Sequence, residues 1–242
     1  MAHSVQELVN LTSNIHRLPR IEEAAFKLEE ATPQEILEWA FEEFGNTITI
    51  ATGFGAEGAA LIDIASKVNP QPEVFFLDTD FLFPETYALR RRLEDRYRIK
   101  IRAFQTSLTP ERQSEIYGAD LWSRDPDLCC RIRKLEPLKE ALQGRRAWVT
   151  AIRRDQTAAR ANAGVVEWDS RWQLVKVNPL ARWTKREVWR HLLENDVPYN
   201  PLHDEGYLSI GCTHCTRAVG ATESERAGRW AGFAKTECGL HA

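Results

Sequence analysis

The sequence predicts an α/β protein: an open, mostly parallel twisted sheet with helices on both faces, Rossmann-like in plan. Three observations predict it. Short apolar runs rich in β-branched and aromatic residues, at 47–51, 74–78, 100–104 and 147–151, alternate with longer stretches of helical period. The first run empties into a glycine-rich turn, Gly53-x-Gly55-x-x-Gly58, which opens onto an apolar helix. The second run ends in an acid, Asp78.

Composition narrows the classes. The chain has 242 residues, enough for one good core with appendages. Its net charge is −3, so no global basic field favours nucleic acid. No apolar run reaches the length of a membrane span. Met1 to Arg20 is polar and lacks a secretory apolar core, so the expected setting is cytoplasmic, with reduced thiols. The expected organisation is a supporting helical segment at 1–45, a nucleotide-binding α/β unit at 46–230 and a mobile tail at 231–242.

In chain order, Thr32-Pro33-x-Glu35 starts a helix as a capping box, and Ile36, Leu37, Ala40, Phe41 and Phe44 form its apolar stripe. The strand at 47–51 leads into Thr52, Gly53 and Gly55, where backbone amides and a helix N-terminus favour an anion, with Thr52 the one hydroxyl. A helix follows at 59–68, then the strand at 74–78. With Asp78, the turn also matches the dinucleotide fingerprint of nicotinamide-binding folds, and a tight turn without ligand has the same spacing. Leu77 to Thr86 forms the strand end and the next loop, and Pro84 opens a charged helix through Arg98. Arg90 to Arg92, with Glu94 and Asp95, read as a solvated face. After the strand at 100–104, Thr109-Pro110 opens another helix. The strand at 147–151 ends in a polar loop, 153–160. Residues 165–177 alternate like a hairpin. Thr184 and Glu187 make a second capping box, for a helix to Asn195.

The chemistry-bearing residues lie mostly in the second half. Five cysteines stand as Cys129-Cys130, Cys212-x-x-Cys215 and Cys238. Four thiols in two close pairs suit an iron–sulfur cluster, a structural zinc or redox thiols. Adjacency favours the cluster, whose separate irons let neighbouring thiolates each take one, whereas zinc sites use spaced knuckles. Cys238 is left over. Lys235 and His241 lie within three residues of it and favour thiolate, and Gly239 frees the tail to swing. Arg226 and Arg229, three apart, would share a helical face and could clamp an oxyanion.

Cys-Cys-Arg-x-Arg-Lys at 129–134, Ser-Ile-Gly-Cys-x-x-Cys-Thr-Arg at 209–217, Glu-x-x-Arg-x-Gly-Arg-Trp at 223–230 and Glu-Cys-Gly-Leu-His at 237–241 resemble, in that order, the assimilatory sulfonucleotide reductases, also called the PAPS reductase family. The paired cysteines match its adenylyl-sulfate (APS) reductase subgroup, and the likeness runs from about Thr47 to the C-terminus. The resemblance implies an adenine-nucleotide α-hydrolase-like (PP-loop) fold and one 4Fe–4S cluster on Cys129, Cys130, Cys212 and Cys215. It implies that backbone near Leu77 and the ring of Phe81 line the adenosine pocket. Lys134 would bridge cluster and substrate, and Arg160 would contact the phosphosulfate. The glycine turn departs from the family loop, which usually carries a serine and an acid where Gly53 and Gly58 stand.

The implied reaction is reduction of APS to sulfite and AMP, in sulfate assimilation and cysteine biosynthesis. Cys238 would be the nucleophile, with His241 positioning or activating it. Lys134, Arg160, Arg226 and Arg229 would neutralise the oxyanions. Thioredoxin, or a glutaredoxin-like dithiol, would be the reductant. PAPS reduction, a nicotinamide-dependent oxidoreductase and a non-enzymatic metal-thiolate sensor are the competing readings. A homo-oligomer is compatible with the sequence.

Overall fold

The computed structural model describes residues 19–235 and 237–240. Six strands, β1 (Ile48–Thr52), β2 (Val74–Leu77), β3 (Ile101–Phe104), β4 (Ala147–Val149), β5 (Val166–Asp169) and β6 (Leu174–Val177), form one sheet in the order β3-β2-β1-β4-β6-β5. All neighbours are parallel except β5 and β6, which form the antiparallel hairpin that the alternation at 165–177 predicts. The helices are α1 (19–28), α2 (Pro33–Phe44), α3 (Ala56–Val68), α4 (Pro84–Tyr97), α5 (Pro110–Tyr117), α6 (Leu121–Arg124), α7 (Pro126–Cys130), α8 (Glu136–Ala141) and α9 (Lys185–Glu194). Both expected capping boxes form, at Thr32–Glu35 and Thr184–Glu187. No helix among the described residues is long and apolar enough to cross a membrane.

Strand alternation sends side chains to opposite faces. Ile48, Ile50, Val74, Phe76, Val149 and Val177 join the core built with α2, α3, α4 and α9. Phe75, Trp148 and Leu174 face the other way and pack on Leu138, Ala141 and Leu142 at α8. The β1–α3–β2–α4–β3 crossovers therefore cover one face, and the return from β3 to β4 covers the other. Winding reverses between β1 and β4, and in such sheets ligands enter the crevice at the carboxyl ends of the strands there. Ile36, Leu37, Ala40 and Phe44 of α2 belong to the first core, so this helix is integral to it.

One buried polar knot ties three helices together. Asp63 of α3, 1% exposed, accepts hydrogen bonds from Lys67 (2.7 Å) and Tyr97 (2.9 Å), and His191 Nε2 lies 2.7 Å from its carboxylate. Burial works against the charge, but the bonds from His191, Lys67 and Tyr97 outweigh it and hold the Asp63 pKa below its ordinary value. With a folded value below the unfolded one, about 3.9, this group contributes stability that is complete above that pH and lost as pH falls through the folded value. Asp63→Asn should cost about 1–3 kcal/mol at neutral pH and flatten the acid limb of a urea-midpoint series. An unchanged acid limb would remove Asp63 from this role.

Candidate active site

The glycine turn opens the cleft. Gly55 caps the N-terminus of α3 with no side-chain bond to the first-turn amides, so those donors face outward. Thr52 Oγ1 is partly spent inside the turn, accepting from the Phe54 amide at 3.1 Å. Gly58 has a packing reason: a Cβ there would lie 2.6 Å from Thr52 Oγ1, so only glycine lets α3 approach β1 this closely. Asp78, the acid that made a nicotinamide fold plausible, is absent from the cleft lining and accepts from the Tyr87 hydroxyl at 2.6 Å.

The cleft opens at the carboxyl ends of β1 and β4. Thr52, Gly53, Gly55 and Leu77 line it, with Trp148 and Leu138 as an apolar floor. Lys134, Arg160, Arg226 and Arg229 bring four cations to it. Arg160 reaches it from the loop after β4, where Gln156 Oε1 accepts from its Nη1 at 2.5 Å. Arg226 and Arg229 converge without the helix expected of their spacing: 221–229 is a series of turns, pinned by an isolated antiparallel bridge between Thr216 and Arg229. Gly220, Gly228 and the Arg217–Glu223 ion pair fold the segment locally instead. Arg229 lies over the Trp230 ring at 4.5 Å.

The C-terminal segment is docked over this cleft. Cys238 and Leu240 line it, and Leu240 packs on the second core. Lys235 pairs with Asp127, and the Gly239 carbonyl accepts from Arg171. Gly239 has φ +82°, a left-handed turn that suits glycine. Between these anchors Glu237 receives two bonds from Arg160 (3.0 and 2.7 Å) and one from Arg226 (3.2 Å). His241, expected to assist the thiol, lies outside the described residues.

A second hollow lies alongside and is lined by Cys129, Cys130, Cys212 and Cys215. The first pair ends α7, and the chain continues through one wide π-helical turn, Arg131–Leu135, before α8. Cys212 caps a 3-10 turn, Thr213–Cys215, that ends in Cys215. An antiparallel bridge joins Leu82 to Cys212, and the Thr213 amide donates to the Phe81 carbonyl at 2.7 Å, so the loop after β2 holds the second pair in place. Thr79 Oγ1 is 3.3 Å from Cys212 Sγ. Burial, joined by the charges of Cys130, Cys212 and Cys215, pushes the Cys129 thiol up to about 12. Among the described residues no group of three or more His, Cys, Asp or Glu is arranged to hold a single metal ion. Two close pairs of thiols around one hollow are the kind of donor set that an iron–sulfur group takes.

Among the described residues, Phe81 is the one expected cleft residue that sits elsewhere. It lines the thiol hollow, edge-on to Trp122 (5.2 Å) and His214 (5.0 Å), with Arg133 over its ring at 4.5 Å. The reason is local: Asp80 adopts φ +59°, and this left-handed residue turns the chain before Phe81. Arg133 holds this loop from inside. At 1% exposure it bonds Gln113, the Thr79 and Leu108 carbonyls and Asp80, fixing the same loop. Lys134 alone, among the described residues, lines both hollow and cleft. Burial opposes its charge, but Cys212, Cys238 and Cys130 outweigh that and hold its pKa above lysine's ordinary value.

The sheet order, the winding reversal and the cation-lined cleft define a doubly wound nucleotide-binding α/β protein. Residues 47–218 match the phosphoadenosine phosphosulfate reductase domain, and the chain belongs to that family. It is 47% identical to an adenosine 5′-phosphosulfate reductase of Lysinibacillus sphaericus, over 86% of this chain and 89% of that one. It is also 47% identical to a phosphoadenosine 5′-phosphosulfate reductase of Gloeobacter violaceus, over 92% and 93%. Among solved structures, the phosphoadenylyl-sulfate reductase of Candida auris, a phosphate complex, superposes with a TM-score of 0.71 at 33% identity, covering 84% of this chain and 97% of that one. The FMN adenylyltransferase of Candida glabrata, at a TM-score of 0.58 and 15% identity over 82% and 66%, shares the fold alone.

Proposed function

We propose that this chain reduces adenosine 5′-phosphosulfate to sulfite and AMP through a covalent S-sulfonate on Cys238. The observation that carries the reading is that Cys238 lines the same cleft as the glycine turn and four cations, at the point where the sheet reverses its winding. The nucleotide's phosphate suits the open amides at Gly55 and its base suits the apolar floor at Trp148 and Leu138.

The Cys238 thiolate attacks the sulfate sulfur. The S–S bond forms as the bond from sulfur to the bridging phosphate oxygen breaks, and AMP leaves with that electron pair. Lys134, Arg160, Arg226 and Arg229 offset the negative charge that two anions bring together. A thiolate of a dithiol protein, thioredoxin or a glutaredoxin-like donor, then attacks Cys238 Sγ and expels sulfite with the S–S electron pair. The donor's second thiol resolves the mixed disulfide and restores Cys238. Two electrons pass from the dithiol to sulfur. Such free thiols suit a reducing compartment such as the cytoplasm.

Cys129, Cys130, Cys212 and Cys215 would hold one 4Fe–4S cluster. Bound there, it supplies fixed charge and rigidity beside Lys134. Anaerobically purified protein should be brown, absorb near about 400 nm as thiolate-bound iron does and carry four irons per chain; Cys129→Ser should lose them. Zinc in the wild-type protein and no iron after anaerobic reconstitution would refute the cluster. Turnover of the iron-loaded protein with APS and with its 3′-phosphorylated analogue, read as sulfite, tests the substrate. A kcat/KM ratio favouring the analogue would overturn the choice of APS, and no sulfite from either would overturn the activity.

A further inference from the structure

Two of the three arginines expected to receive the substrate's oxyanion already hold one, and it belongs to the protein. Glu237, immediately before Cys238, is largely buried against them. Its Oε1 accepts from Arg160 Nε (3.0 Å) and Thr157 Oγ1 (3.2 Å), and its Oε2 from Arg160 Nη2 (2.7 Å) and Arg226 Nη2 (3.2 Å). Four donors on two oxygens, two of them a paired guanidinium fork, are the pattern by which proteins recognise carboxylate, phosphate and sulfate alike. Sequence reading found Arg160 and Arg226 but missed Glu237, whose carboxylate looks incidental until its partners are seen.

We infer that Glu237 is a built-in counter-anion: with the tail docked, its carboxylate fills the Arg160–Arg226 clamp, and an incoming phosphate or sulfate group has to displace it. The inference rests on the reading of this cleft as a site for an anionic nucleotide. Its logic is competition for the same donors. Lys134 and Arg229 form no ion pair with a carboxylate among the described residues, so the clamp is where tail and ligand collide. The other anchors act at separate places: Lys235 on Asp127, Gly239 on Arg171 and Leu240 in the second core. They can keep Cys238 within reach while Glu237 yields. When AMP departs, the carboxylate retakes the clamp and opposes rebinding of the product. Glu237 is thus a positioning residue that couples ligand occupancy to the pose of the adjacent thiol.

The test compares full-length, iron-loaded wild type with Glu237→Gln and Glu237→Asp, each checked for an unchanged thermal transition. The probes are AMP and inorganic sulfate, titrated calorimetrically. A second readout is ligand-free alkylation of Cys238 by iodoacetamide, followed on the tryptic peptide that begins after Lys235. If the docked tail occupies the clamp about nine-tenths of the time, AMP should bind Glu237→Gln about tenfold more tightly, because the competent fraction rises by that factor. Alkylation should be several-fold faster in Glu237→Gln, and Glu237→Asp should restore both values toward wild type. Equal or weaker AMP binding by Glu237→Gln, or unchanged alkylation, would overturn the inference. If AMP binds none of the three proteins while sulfate still binds Glu237→Gln more tightly, the clamp competition stands and the nucleotide reading falls instead.

Discussion

Cys238→Ser should release no measurable sulfite, a loss of three orders of magnitude or more in kcat, about the scale seen when a covalent nucleophile is removed from other enzymes. A serine hydroxyl in the same place is a far weaker nucleophile at neutral pH, and no second thiol lines the cleft. Binding should survive. Lys134, Arg160, Arg226 and Arg229 are untouched by the change, so AMP affinity should stay within about threefold of wild type, the pattern of an interaction made only during the reaction. Mass spectrometry of wild type mixed with APS and no dithiol should show an S-sulfonate on the peptide after Lys235. Full turnover by Cys238→Ser would end the covalent scheme, whatever the fate of the cluster.

Lys134→Ala should lower kcat/KM by about 10²- to 10³-fold, the range for deleting one preorganised cationic or hydrogen-bonding group from a developing oxyanion. The lysine's position makes the effect readable in two ways. It borders the cleft and the four-thiol hollow at once, and Cys212, Cys130 and Cys238 all bias it toward its charged form. Removing it should therefore weaken catalysis and also shift the visible spectrum of the iron-loaded protein. Lys134→Arg keeps the charge, and should retain the iron and recover part of the rate. A Lys134→Ala enzyme with full iron and wild-type kcat/KM would leave the residue as mere packing between two sites.

Much of this was legible in the chain. Two capping boxes, a strand–glycine–helix junction and an alternating hairpin are local signals, each set by chemistry within a few residues, and each recurs in the structure. What escaped reading was the direction of single residues. Phe81 points to the sulfurs because Asp80 is left-handed, and an aspartate is only a weak hint of that conformation. Arg226 and Arg229 meet at the cleft through turns and one isolated bridge, where spacing alone suggested a helix. The burial of Arg133 depends on Gln113, Asp80 and two carbonyls distant in sequence, and no local pattern encodes such a convergence. The signal for Glu237 was present in the chain: an acid next to a nucleophile in a sequence otherwise collecting cations around an anion.

The wide turn at Arg131–Leu135 carries a consequence for how this gene can vary. It takes up one residue more than a regular helix would between the Cys129–Cys130 pair and α8. Upstream, the phase is fixed by the cysteines and Arg133; downstream, it is fixed by Leu138, Ala141 and Leu142 against the sheet. Deleting one residue here would close the wide turn to an ordinary helical count and keep the phase, whereas one further inserted residue would rotate everything beyond it by about 100°. Either the thiols or the apolar face of α8 would then point the wrong way. Here a single-codon insertion should be rejected more strongly than a single-codon deletion.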